Sequence, residues 1–241
     1  MMVVKMTLYL FELGRVRTSE PILGYMVRTA DGKIIVIDTG YRPGTLGEQP
    51  GAEPAFLQAS PEQLVVNQLK RLGISPEDVD YLLVTHLDPD HAGFTGSFPR
   101  AEVVIQRRHL ALARKSSAPR FQLTRMAWDS PLVRFREVDG DVEILPGIHL
   151  LETSGHVTGH QSVLLRLPKT GAVLLPIDAM AREHMGDPEG RVAGPFDEDE
   201  QELRQSTRKL ADLAAREDAL IIFAHDAEQW RHLRHSPGYY D

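Results

Sequence analysis

The chain has no cysteine at all. That excludes disulfides, a cysteine nucleophile and every zinc motif built on thiolates. Long apolar runs are missing too: none approaches the roughly 18 residues needed to cross a bilayer, so no membrane partner is expected. Basic residues are in deficit, 27 Lys and Arg against 34 Asp and Glu, which leaves a formal net charge of -7. A surface of that sign disfavours nucleic acid, which selects basic patches. The start, Met1–Thr7, lacks the sustained apolar core and small-residue cleavage site of a leader, and is expected to be the first strand of a mature, cytoplasmic protein. The remaining composition, 42% hydrophobic and 25% charged over 241 residues, suffices to bury a substantial core.

Against this background one heptad stands out, Thr85-His86-Leu87-Asp88-Pro89-Asp90-His91, directly after the apolar run Tyr81–Val84. In an extended loop, residues two apart project to the same side, so His86, Asp88 and Asp90 can converge, and a turn after Asp90 brings His91 round beside them. Imidazole nitrogens and carboxylate oxygens suit a divalent first-row metal. Without a cation the same groups would repel one another or stay unsatisfied. The alternative is a polar surface turn at a strand end.

Three further residues follow strand-like runs, where α/β folds gather functional groups. His156 lies in the glycine-punctuated loop 153–160, Asp178 follows Ala172–Ile177, and His225 follows Leu220–Ala224. Each alone fits an ordinary hydrogen-bonded residue. Joined to the heptad they give enough donors for two metals sharing one carboxylate. Because these donors span residues 86–225, one site draws on most of the chain, and a single domain over 1–241 is expected.

The heptad, followed in order by His156, Asp178 and His225, resembles the metallo-β-lactamase superfamily of dinuclear hydrolases. Connecting stretches are similar to its N-acyl-homoserine lactonase-like branch: Ser19–Ile22, Ile37–Gly40, Asn67–Ile74, Gly155–Ser162 and Phe223–Trp230. The resemblance implies a mixed α/β fold, a four-layer αββα sandwich. It also implies two divalent metal ions, zinc first among the candidates. Matched position by position, His86, Asp88 and His156 would hold one metal, Asp90, His91 and His225 the other, and Asp178 would lie between them. A hydroxide bridging the metals would attack the carbonyl of an N-acyl-homoserine lactone or similar ring, and Asp90 would pass a proton to the departing alkoxide. The implied role is quorum quenching, the partner a small-molecule lactone or ester, and the assembly a homodimer.

Two departures from the family pattern matter. Asp88 stands where His is usual, and its extra charge and harder oxygen move preference from zinc toward manganese, iron or cobalt. Ala181 stands where lactonases of this branch commonly carry Tyr; His184 either takes over or is a plain loop histidine. Thioester hydrolysis in the manner of glyoxalase II and phosphoester hydrolysis use the same metal core. A di-iron redox role is the minority alternative, since that branch pairs this domain with a flavin-binding one.

The rest of the chain is read for packing. Val3–Phe11, Ile22–Thr29 and Ile34–Ile37 have strand character, the last two joined by the hairpin turn Ala30–Lys33. Asp38 then either buttresses the metal site or simply forms a turn. Tyr41–Ser60 predicts a long irregular loop whose tip, Ala55-Phe56-Leu57, covers a ligand or plugs the core. Ser60-Pro61-Glu62-Gln63 predicts a capped helix running through Leu72. Ala92–Gly96 offers small residues where the backbone would pass close to the metals. Ala101–Gln106 reads as a strand and Arg107–Lys115 as a helix; in 116–136, Phe121, Met126, Trp128 and Phe135 line a pocket or anchor the segment. A long helix is predicted from Asp197 or Glu198 to about Arg216, its acidic start a solvated first turn matched to the helix dipole. His160 is a candidate for contact behind the ligands.

Overall fold

The computed structural model describes residues 5–17, 19–44 and 56–241. Val3, Val4 and most of the predicted irregular loop, with Ala55 of its tip, lie outside the described residues. In chain order the strands are β1 (Met6–Val16), β2 (Glu20–Thr29), β3 (Ile34–Ile37), β4 (Leu57–Gln58), β5 (Tyr81–Leu83), β6 (Glu102–Gln106) and β7 (Arg134–Val138). They are followed by β8 (Val142–Leu145), β9 (Ile148–Glu152), β10 (Gln161–Leu167), β11 (Gly171–Ile177) and β12 (Leu220–Phe223). The first seven make one sheet in the order β4-β1-β2-β3-β5-β6-β7, and the last five another, β12-β11-β10-β9-β8.

The two sheets meet face to face. Leu8, Val27 and Ile35 from the first pack with Leu150, Val163 and Val173 from the second, and burying side chains of this size stabilises by about 1.5–3 kcal/mol each. The outer face of the first sheet is covered by helices Val65–Arg71 and Arg107–Lys115 through Val65, Leu69, Leu110 and Ala113. Helix Glu200–Glu217 covers the outer face of the second through Leu210, Leu213 and Ala214. Helix, sheet, sheet, helix is the αββα sandwich that the sequence implied. Among the described residues no helix is long and apolar enough to cross a membrane.

Three local expectations are corrected. The helix predicted through Leu72 is split into a turn, Pro61–Gln63, and a helix, Val65–Arg71, with Leu64 extended between them. Gln63 explains the break: its side chain accepts from Ser60 N at 2.9 Å and donates to Glu12 of β1 at 2.7 Å, fastening the turn to the sheet. The long helix begins at Glu200 rather than at Asp197 or Glu198, because Asp199 caps it by accepting from Glu202 N at 2.8 Å. Gly93 is small for a different reason than expected. A side chain there would meet Gly40 O at 2.5 Å, so the glycine serves a close crossing of two loops.

Parallel pairing places the functional loops together. β3, β5 and β6 run side by side in one direction, as do β11 and β12. The heptad leaves the end of β5, Asp178 leaves β11, and His225 follows β12.

Candidate metal centre

Asp178 and His225 are neighbours because Ile177 of β11 lies opposite Phe223 of β12. At this end of the sheets the backbone is bent hard: Asp38, Ile177 and His225 have φ of 56°, 55° and 59°. Left-handed backbone is costly for a β-branched residue such as Ile177, on the order of 1–3 kcal/mol, and is kept only where surrounding structure enforces it. In the heptad the turn comes earlier than expected. Asp88 is the last extended residue, and Pro89–Ala92 forms a short helical turn that carries Asp90 and His91.

The side chains converge in two groups, His86 with His156 and Asp178, and Asp90 with His91 and His225. Asp178 touches both. Its Oδ2 lies 3.3 Å from His86 Nε2, 3.5 Å from His156 Nε2 and 3.2 Å from His91 Nε2, and its Oδ1 lies 3.3 Å from His225 Nε2. Asp90 Oδ2 is 3.5 Å from His91 Nε2 and 3.7 Å from His225 Nε2. Donors about 2.1 Å from a tetrahedral cation stand roughly 3.4 Å apart, which is the spacing found here. His86 Nε2, His91 Nε2 and Asp178 Oδ1 are buried without a hydrogen-bond partner. Buried polar atoms rarely go unsatisfied, so the donor set fits a pair of divalent cations on its own chemistry.

Behind the donors, other side chains fix the rings. Asp38 Oδ2 is 2.8 Å from His91 Nδ1, and Asp38 also accepts from Thr85 N at 2.9 Å and Thr85 Oγ1 at 2.7 Å. Thr85 Oγ1 in turn lies 3.1 Å from His86 Nδ1. Of the two readings of Asp38, the buttress holds, with the turn made at the same residue. Asp197 Oδ1 is 2.8 Å from His156 Nδ1. His160 is buried with its ring 5.1 Å from that of His86, bonded through Nδ1 to Thr153 Oγ1 at 2.9 Å.

The cluster is electrostatically self-consistent. Burial alone would depress His91, but the carboxylates of Asp90, Asp178 and Asp38 hold it well above the usual imidazole range. Burial would likewise depress His156, yet its bonds to Asp197 and Asp88 push it up to about 9. Asp178, which burial would raise, is held well below the usual carboxylate range by His91 and His225. The protein thus stores opposite charges that a cation would replace, proton for metal.

Asp88 is placed differently from the other six predicted ligands, outside both convergent groups. Arg120 grips its carboxylate with a two-pronged contact, Nε to Oδ1 at 2.7 Å and Nη2 to Oδ2 at 2.6 Å. Oδ2 nevertheless stays 3.4 Å from His156 Nε2 and 3.6 Å from His86 Nε2. Neither Arg120 nor Asp197 was singled out by sequence reasoning. Asp197 was hidden in an acidic run that imitates a helix start. For Arg120 the available signal was the unmatched charge of Asp88, which calls for a cation without saying where in the chain it comes from.

Asp88, Asp90, His156, Asp178 and His225 line one side of a cavity of about 580 Å³. Its walls are mostly apolar, built from Val16, Phe56, Leu57, Leu123, Met180 and Phe196, with Arg17, Glu20 and Arg120 among them. Phe56 and Leu57 therefore border the ligand space, whereas Phe121 and Trp128 are buried anchors and Met126 points to solvent. Ala181 lines the cavity, and His184 sits one turn beyond it.

The sequence model of the metallo-beta-lactamase superfamily matches residues 18–225. An N-acyl homoserine lactonase of a Bacillus species is 33% identical over 226 residues, covering 91% of this chain and 86% of the relative. The N-acyl homoserine lactonase AiiA of Bacillus thuringiensis subsp. kurstaki is 33% identical over 228 residues, with the same 91% and 86% coverage. A solved structure of an N-acyl homoserine lactone hydrolase with the product N-hexanoyl-L-homoserine at its catalytic metal centre superposes with a TM-score of 0.84 at 30% identity, covering 99% of this chain and 100% of that one. The chain belongs to the metallo-beta-lactamase superfamily and, within it, to the N-acyl homoserine lactonase-like branch.

Proposed function

We propose that this protein is a metal-dependent lactonase that opens the ring of N-acyl-homoserine lactones. The observation that carries this reading is the pair of donor groups sharing Asp178 at one side of a mostly apolar cavity, in a chain similar to lactonases over nearly its whole length. His86, His156 and Asp178, with Asp88 beside them, would hold one divalent cation; Asp90, His91, His225 and Asp178 would hold the other. When bound, such cations polarise a carbonyl and lower the pKa of water to about 7. Zinc is the first candidate, and the harder Asp88 carboxylate leaves room for manganese, iron or cobalt.

The protein's own groups supply the remaining steps. The apolar walls take the acyl chain and exclude water, leaving the polar ring beside the acidic donors. Burial would raise the Asp90 carboxyl, but His91 and His225 hold it below the usual range, so it is ionised at neutral pH. Asp90 can therefore accept a proton as a water oxygen bonds to the lactone carbonyl carbon. When the ring C–O bond breaks, Asp90 returns that proton to the departing alkoxide oxygen. One cluster fed by loops from both sheets supports a single domain.

The test is elemental analysis of the purified protein beside a pH-drop assay on acyl-homoserine and simple aliphatic lactones. Close to two metals per chain and acid release from acyl-homoserine lactones are expected. Asp178→Ala should lose both metal and turnover. Activity retained by that variant in metal-free buffer rejects the mechanism, and bound metal with turnover only of thioesters or phosphoesters rejects the substrate.

A further inference from the structure

The two donor groups are not equivalent, and the difference lies in Arg120. We propose that Arg120 is a positioning residue that clamps Asp88 and makes the two metal positions unequal, so that the Asp90–His91–His225 position fills first and the His86–His156 position fills second. The inference rests on the dinuclear reading above and adds to it an order of filling.

The Arg120 guanidinium is fully engaged. Nε and Nη2 bind Asp88, while Nη1 donates to Phe196 O at 3.0 Å and lies 3.6 Å from Glu198 Oε1. Part of its side chain still borders the cavity. Its Nη2 is also 3.2 Å from His156 Nε2, the nitrogen that would face a cation. A fixed positive charge stands at the His86–His156 position, and the Asp88 carboxylate there has already spent electron density on a charge-assisted pair. A dication entering that position gains little from Asp88 and is repelled by Arg120. The Asp90–His91–His225 position is built the other way. Asp90 contributes its charge directly, and the Asp38 carboxylate behind His91 makes that imidazole a stronger donor. The segment Phe196–Glu198 holds Arg120 through Phe196 O, and through Asp197 it supports His156 as Asp38 supports His91, so the contrast rests on Arg120 and Asp90.

The experiment is a zinc titration of the metal-free protein against a chromophoric chelator, which reads occupancy without reading turnover. Wild type should bind two zinc ions in steps separated at least tenfold in affinity. His156→Ala should remove the weaker step and His225→Ala the tighter one. Arg120→Met, which frees Asp88, should strengthen the weaker step by about tenfold and bring the steps together. Two equal steps in wild type, loss of the tighter step in His156→Ala, or an unchanged gap in a folded Arg120→Met each overturns the inference. Should Arg120→Met fail to fold, wild type and His156→Ala still decide the order of filling. Absence of zinc uptake by every form would instead remove the dinuclear reading itself, a result distinct from two equal steps.

Discussion

Asp38 and His91 are joined across the end of the first sheet, Oδ2 to Nδ1 at 2.8 Å, with both residues buried. The bond fixes the imidazole proton on Nδ1 and leaves Nε2 to face Asp90 and Asp178. A metal-facing histidine oriented in this way commonly loses 10–100-fold in metal affinity when its partner is changed. Asp38→Asn replaces one carboxylate oxygen with an amide nitrogen, which cannot accept from both Thr85 and His91. The expected result is weaker binding at the tighter of the two steps by about 10–100-fold in chelator competition. Unchanged affinity would show that Asp38 serves the turn alone.

Asp197 and Asp199 stand two residues apart and do different work, which allows a paired test. Asp197 holds His156 at 2.8 Å, whereas Asp199 caps helix Glu200–Glu217. Asp197→Ala should weaken the second metal step by about 10–100-fold. Asp199→Ala should cost about 1 kcal/mol of stability with metal binding preserved. Urea unfolding beside metal titration separates the two effects. If both variants lose stability and neither loses metal, the Asp197 contact is packing only.

These residues mark where the sequence was informative and where it was not. His86, Asp90, His91, Asp178 and His225 were legible because each lies close behind a strand-like run, and the ends of adjacent parallel strands must coincide in space. The same logic gave Asp38, directly after β3, as one of two options. Arg120 was not legible: it meets Asp88 across 32 positions of chain, and no periodicity links a short helix to a loop. Asp197 was concealed because several acids in a row satisfy the expected electrostatics of a helix start wherever the helix begins. The cap, set by the single bond from Asp199 to Glu202 N, decided which acid was left over for His156.

Ala181 offers a gain-of-function prediction. It lines the cavity three residues beyond Asp178, where Tyr is common in the lactonase branch. A phenol at this place would donate to the lactone carbonyl oxygen as charge grows there. A hydrogen bond worth about 1 kcal/mol corresponds to roughly a fivefold gain. Ala181→Tyr should raise kcat/KM on acyl-homoserine lactones by about that factor, with little effect on metal content. A fall in kcat/KM with intact metal would show that the phenol blocks the ring, and that this protein positions its substrate differently.

His109 makes stability depend on pH without belonging to the donor set. Its Nε2 accepts from Leu87 N at 2.9 Å, between His86 and Asp88, and its Nδ1 donates to Thr158 O at 2.7 Å. The first bond requires the neutral ring, and the second places its one proton on Nδ1. Burial, the main cause, pushes its pKa down to about 3, against about 6.5 in an unfolded chain. Between these values the unfolded chain binds a proton that the folded chain refuses, so this contribution is complete above about pH 6.5 and is lost as pH falls toward 3. The slope due to one such group is at most about 1.4 kcal/mol per pH unit. Gln in its place can keep both hydrogen bonds and does not titrate. Urea unfolding at pH 7, 6, 5 and 4 should therefore show a shallower loss of stability in His109→Gln than in wild type, most clearly between pH 6 and 4. Since acid release of metal and titration of the carboxylates are common to both proteins, the difference in slope isolates His109. Identical slopes would mean that His109 binds its proton equally well in the folded and unfolded chains, and that the bond to Leu87 contributes nothing to holding the heptad.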